Sequence, residues 1–119
     1  MRSKIILLIL GILLIGGGIY LLATSYNLSN NGAPSPQTNN ITIQDFAFSP
    51  LTLTIHAGDT VVWTNQDAMG HTVTSDSGGE LNSSTIPGGG TYSHTFAAAG
   101  TYSYHCSIHP SMKGTIIVQ

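Results

Sequence analysis

Hydrophobic and polar positions fall into three regimes along this chain. From Ile5 to Ala23, nineteen residues run without a charge, IILLILGILLIGGGIYLLA. As a helix rising 1.5 Å per residue, such a run is long enough to cross a bilayer core of about 30 Å. From Thr24 to Asn40 the chain is rich in Asn, Ser and Pro, uncharged and poor in apolar residues. Such a stretch buries too little surface to offset the entropy of ordering, and reads as a flexible tether. From Ile41 onward the pattern has period two, punctuated by turn residues, with no helical stretch.

That third regime predicts seven or eight short strands. Leu51–Ile55 alternates apolar and polar, and Ala57-Gly58-Asp59 turns the chain into Thr60–Asn65. His71–Ser75 follows, then a loop from Ser77 to Gly90 broken by Pro87-Gly88-Gly89-Gly90. Thr91–Phe96, Thr101–Cys106 and Gly114–Gln119 complete the set, with Ile41–Phe46 at its start. Short strands at this spacing predict an all-β Greek-key sandwich over residues 41–119. Alternation turns Tyr102, Tyr104 and Cys106 inward, and His71 with Val73.

The apolar run fixes topology. Arg2 and Lys4 precede it and no basic residue follows until Lys113. The positive-inside bias then leaves the N-terminus in the cytoplasm and everything after residue 23 outside it. A cleaved signal peptide competes, and Gly16-Gly17-Gly18 helps it by lowering helix propensity. Its apolar region is shorter, however, about 7–15 residues, and Leu21-Leu22-Ala23-Thr24-Ser25 is a weak cleavage site. Length favours a transmembrane anchor over residues 1–23, with membrane contact through residues 5–23. Either way the domain is extracytoplasmic, at the periplasmic or cell-surface side, and secreted if the segment is removed.

Charge then excludes one class of partner. Residues 41–119 carry Asp45, Asp59, Asp67, Asp76 and Glu80 against Lys113, a net of −4 with histidines neutral. Nucleic acid wants a basic face, and none is present.

The chemistry is concentrated near the end, in Tyr104-His105-Cys106-Ser107-Ile108-His109-Pro110-Ser111-Met112. Singly, a cysteine is usually a small buried hydrophobe, and a methionine fills core gaps. Together on one loop, thiolate and thioether are soft ligands for copper(I), and imidazole suits both copper oxidation states. A trigonal two-histidine, one-cysteine site with a long axial methionine is the blue-copper arrangement. His71, at an inward strand end, is placed to supply the second histidine. A lone thiol outside the cytoplasm is buried or occupied, and copper would occupy it.

Phe46-Ala-Phe-Ser-Pro50, Gly58-Asp-Thr-Val-Val-Trp-Thr-Asn65, His71-Thr-Val-Thr-Ser75, Pro87-Gly-Gly and Gly100-Thr-Tyr-Ser-Tyr-His-Cys106 occur in the order seen in plastocyanin-like cupredoxins. The resemblance covers residues 41–119, and the cysteine-x-x-histidine-x-x-methionine loop is similar to that of amicyanin-like members. It implies one type-one copper held by His71, Cys106 and His109 in a plane with Met112 axial. Met69-Gly70-His71 is similar to azurin, where the glycine carbonyl approaches the metal, which implies a weak contact from Gly70. The family usually carries asparagine just after the first ligand histidine, bonding across to the ligand loop. Thr72 stands there, so the resemblance does not imply that support.

The expected function is single-electron transfer between redox protein partners that dock near His109, by a monomer that is not itself an enzyme. Three rival functions fit these residues less well. His105-Cys106 is similar to the pair that links two copper centres in copper oxidoreductases, but this chain has one domain and no histidine-x-histidine pair. Copper storage or delivery favours open coordination, whereas four ligands close the site. A metal-free adhesion module leaves the placing of the lone cysteine unexplained. Among the other histidines, His56 is expected as a solvated strand end, His94 as a hydrogen-bonded core residue, and His105 as an outward side chain that could serve docking or electron exit.

Overall fold

Alternation becomes burial most plainly along two of the strands. Along Thr60–Asn65 the residues Val61, Trp63 and Asn65 are buried, and along Lys113–Val118 the residues Gly114, Ile116 and Val118 are. One face of each strand is therefore core, as the apolar spacing demands.

The structure, a computed structural model, describes residues 5–27, 32 and 34–119. They divide into two units, residues 1–33 and 34–119. In the first, β1 (Ile5–Ile15) and β2 (Gly18–Asn27) pair antiparallel with Ile15 opposite Gly18. Gly16 and Gly17 turn the chain with φ of 59° and 85°, the left-handed pair that a two-residue hairpin loop requires. The segment expected as a spanning helix is a hairpin here; its isoleucines favour a strand while its leucines favour a helix. No helix among the described residues is long and apolar enough to cross a membrane. Arg2 and Lys4, which carry the topology argument, lie outside the described residues.

The second unit is an all-β sandwich of eight strands: β3 (Thr38–Gln44), β4 (Ala47–Ser49), β5 (Thr52–Ile55), β6 (Thr60–Asn65), β7 (Thr74–Ser75), β8 (Thr91–Thr95), β9 (Gly100–His105) and β10 (Lys113–Val118). One sheet runs β5-β10-β9-β7 and the other β4-β3-β6-β8. Two neighbours are parallel, β3 with β6 and β10 with β5, and the rest antiparallel.

Of the tether expected over residues 24–40, Thr24–Asn27 belongs to β2 and Thr38–Asn40 pairs with Thr60–Val62 of β6. Residues 28–31 and 33 lie outside the described residues. The polar side chains of Thr38–Asn40 carry no sign of this, because ladder pairing is made by the backbone and is blind to them. Asp59 secures this start by accepting the amides of Gln37 (2.8 Å) and His56 (3.0 Å). The Gln37 amide, then that of His56, outweighs burial and holds the Asp59 carboxyl below the usual carboxylate range.

Aromatic rings fill the space between the sheets. Trp63 and Tyr104 are fully buried, and the indole Nε1–H donates to the Tyr104 hydroxyl at 3.2 Å. Burial raises the Tyr104 hydroxyl to about 12. Phe48 meets the Tyr104 ring edge-on at 4.8 Å. A side chain this size, removed from water, contributes on the order of 2–3 kcal/mol. The Tyr104 ring lies directly over Gly114, its partner on β10, where any β-carbon would collide with it. Tyr104 thus fixes β9 against β10 two residues before Cys106.

A candidate metal centre at one end of the sandwich

Three elements deliver the site. β6 ends in Asn65, fully buried, whose side-chain amide donates to the carbonyls of Met69 (2.8 Å) and Ile86 (2.9 Å). Its oxygen accepts the Asp67 amide at 2.9 Å, which folds 66–70 into a compact turn. His71 leaves that turn and exchanges two backbone hydrogen bonds with Ile86, at 3.1 and 2.7 Å. On the other side β9 ends at His105, Cys106 follows directly, and the loop after it closes on itself. The Met112 amide donates to the His109 carbonyl (2.9 Å), and the Cys106 amide to the Met112 carbonyl (3.0 Å).

His71 and Cys106 are fully buried, Met112 is buried and His109 is half-buried. The Cys106 Sγ lies 3.7 Å from His71 Nδ1 and 3.9 Å from His109 Nδ1, and the three donor atoms fall within 4.8 Å of one another. An ion held at roughly 2.0–2.3 Å by nitrogen and sulfur keeps its donors about 3.5–4 Å apart, so the spacing fits one small metal ion. Met112 adds a thioether from the same loop. At Gly70, just before His71, a β-carbon would press on Thr85 Cγ2.

The protonation states suit metal binding. Burial pushes the Cys106 thiol up, but the amides of Thr72 and His109 with the two imidazoles outweigh it, and the thiol is lowered to about 6. The Thr72 amide donates to Sγ at 3.3 Å. The thiolate is the form that ligates metal. Asp67 Oδ2 lies 2.8 Å from His71 Nε2 and also accepts the amides of Asp45 (2.8 Å) and Phe46 (3.0 Å) through its two oxygens. The Phe46 amide, then His71 and Asp45, outweighs burial and keeps this carboxyl below the usual carboxylate range. An ionised carboxylate only accepts, so Nε2 of His71 carries a proton, and Nδ1 is the ring nitrogen that faces Cys106.

Thr72 supplies the support that its departure from asparagine had removed. Its hydroxyl accepts the Ser107 amide at 2.8 Å and lies 2.9 Å from the Ser107 hydroxyl. The segment that carries His71 is thereby tied to the ligand loop by a shorter side chain.

A family model for the cupredoxin-like domain matches residues 15–118. The chain belongs to the cupredoxins. It is 36% identical over 91 residues to amicyanin-alpha of Methylorubrum extorquens, covering 73% of this chain and 76% of that protein. Among solved structures, amicyanin from Paracoccus versutus is 31% identical with a TM-score of 0.65, covering 73% of this chain and 85% of that one. A mutant amicyanin in its Cu(I) form is 36% identical with a TM-score of 0.66, covering 69% and 82%. The cluster of His71, Cys106 and His109 with Met112 nearby in sequence resembles a type-one copper site.

The other histidines lie elsewhere. His56 is exposed, as expected of a strand end. His94 is half-buried, edge-on to Phe96 at 4.8 Å and bonded to Glu80 at 2.8 Å. His105 points away from the cluster, with Nδ1 2.5 Å from Asp76 Oδ1. Sequence reasoning missed Asp67 and Phe46. An acid four residues before a candidate ligand histidine was a signal for the first. The second had none, because its place follows from the fold.

Proposed function

We propose that this cupredoxin is a membrane-tethered carrier of single electrons, with copper held by the Cys106 thiolate and the imidazoles of His71 and His109, and more weakly by Met112. A carbonyl contact from Gly70 belongs to the same proposal. The carrying observation is the convergence of one thiolate and two Nδ1 atoms in a pocket that is buried on the Cys106 and His71 side. Copper bound there supplies a one-electron couple between Cu(I) and Cu(II).

The chain's own residues do the rest. Asn65 and Asp67 fix His71, Thr72 and Ser107 fix the ligand loop, and burial keeps water from Cys106. Four protein donors leave no position for a substrate, so the domain is a carrier and not an enzyme. His109 is the half-buried member of the set, with Ile108, Pro110 and Met69 exposed around that end. Redox proteins docking there would find a short route to the metal. The oxidoreductase alternative needs His105 as a second-centre ligand, and its commitment to Asp76 disfavours that role. The burial of Cys106 and His71 disfavours storage and delivery.

The tether rests on the charge-free run at Ile5–Ala23. A two-stranded hairpin is marginal in water, and its open edges would be unsatisfied in lipid. A bilayer favours the same residues as a helix, which satisfies its own backbone. With Arg2 and Lys4 before it, the positive-inside bias would put the domain on the extracytoplasmic side, where it would act as a monomer.

Voltammetry of the copper-loaded full chain in detergent tests the carrier reading. A reversible one-electron wave is expected, with one copper per chain. Two coppers per chain, or a wave that responds catalytically to a small substrate, would favour the oxidoreductase.

A further inference from the structure

The turn between β3 and β4 is built against its own chemistry. Gln44 pairs with Ala47, so Asp45 and Phe46 form a two-residue hairpin loop, with φ of 52° and 57°. A loop with both residues left-handed strongly prefers glycine at its second position, because a β-carbon is unfavourable there. A large aromatic at that position persists only where the surroundings over-determine it. Two observations supply that reason. Asp67 accepts both amides of the turn, at 2.8 and 3.0 Å, with the carboxylate that also binds His71 Nε2. The Phe46 ring then stands edge-on to both histidines, 5.3 Å from His71 and 5.0 Å from His109, each at 88°. The two imidazoles are themselves 5.0 Å apart.

We infer that Phe46 is a positioning residue for the metal centre, a roof that holds both imidazoles in their binding orientation and shields them from water. The inference deepens the copper reading and rests on it. Asp67 couples the roof to the site, because one carboxylate sets the tautomer of His71 and the conformation of the turn. His109 has no comparable carboxylate partner, so among the described residues its orientation leans on the Phe46 ring and on the closed loop. Half of the Phe46 surface stays exposed, 49%, so its ring contributes little to the core. Its value lies at the site.

Phe46→Gly separates this role from a structural one. Glycine suits the turn, so the melting temperature of the metal-free full chain should hold or rise. Copper affinity should nevertheless fall by roughly tenfold or more, the usual loss when an outer support of a metal ligand is removed. Phe46→Tyr should restore the affinity, since its ring can occupy the same place. In the metal-free protein, proton NMR should show ring-current shifts on the imidazole protons of His71 and His109 that vanish in Phe46→Gly. That readout needs no copper, so it tests the roof even if the copper reading fails. Unchanged imidazole shifts, or unchanged copper affinity with a lowered melting temperature, would overturn the inference.

Discussion

Replacing Cys106 by serine abolishes the intense visible absorption of the copper(II)-loaded protein and leaves the sandwich folded. The colour requires charge transfer from a thiolate, and Cys106 is the chain's only cysteine. Serine at neutral pH is an alcohol whose ionisation lies far out of reach, so it cannot replace a thiolate held at about 6. The fold should survive, because serine is close in size and the Thr72 amide can donate to its hydroxyl as it does to Sγ. The cost should be about 1–2 kcal/mol, the scale of an imperfectly paired buried polar group. Met112→Leu is the control: one weak donor would be lost, so colour persists while the potential rises, because losing any donor disfavours the more highly charged copper(II) more than copper(I). Optical spectra with far-UV circular dichroism on both variants check this. Colour retained in Cys106→Ser, or lost in Met112→Leu with His71→Ala still coloured, would reverse the assigned roles.

The second large effect concerns the membrane. A chain beginning at Pro34 keeps the whole of the second unit, including the Gln37–Asp59 tie and all of β3. It should move from the membrane fraction to the soluble one while retaining its copper site. The full chain should stay with the membrane through a high-salt or alkaline wash, since a charge-free run of this length is held by burial and not by charge. Fractionation in a host that exports the protein, followed by accessibility of the domain to added protease, distinguishes the sides. A full-length chain released by alkaline wash, or a domain protected on the cytoplasmic side, would contradict the tether.

The sandwich was legible in the sequence because its strands bury one face each, and alternation such as Thr60–Asn65 records that directly. The pairing was not. Thr38–Asn40 join β6 through backbone groups, so their polar side chains gave no sign of it. The hairpin at Ile5–Asn27 shows a second reason: an apolar run that mixes leucine and isoleucine around paired glycines carries helix and strand signals together. At the site, the converging histidine, cysteine and histidine were readable from ligand chemistry, although His71 lies ahead of β7 and not on it. Their supports were less so. Thr72 takes over a cross-loop bond by a route that residue type alone did not suggest. Phe46 reaches His71 and His109 across 25 and 63 positions of chain, a distance at which only the folded sheet order can report a contact.

Titration of the full chain with copper(II), followed optically, tests the central claim most directly. The Cys106 thiolate between two imidazoles should produce an intense visible band that saturates at one copper per chain and is bleached by ascorbate. One equivalent of tightly bound copper without that band would contradict a thiolate-ligated centre at His71, Cys106 and His109.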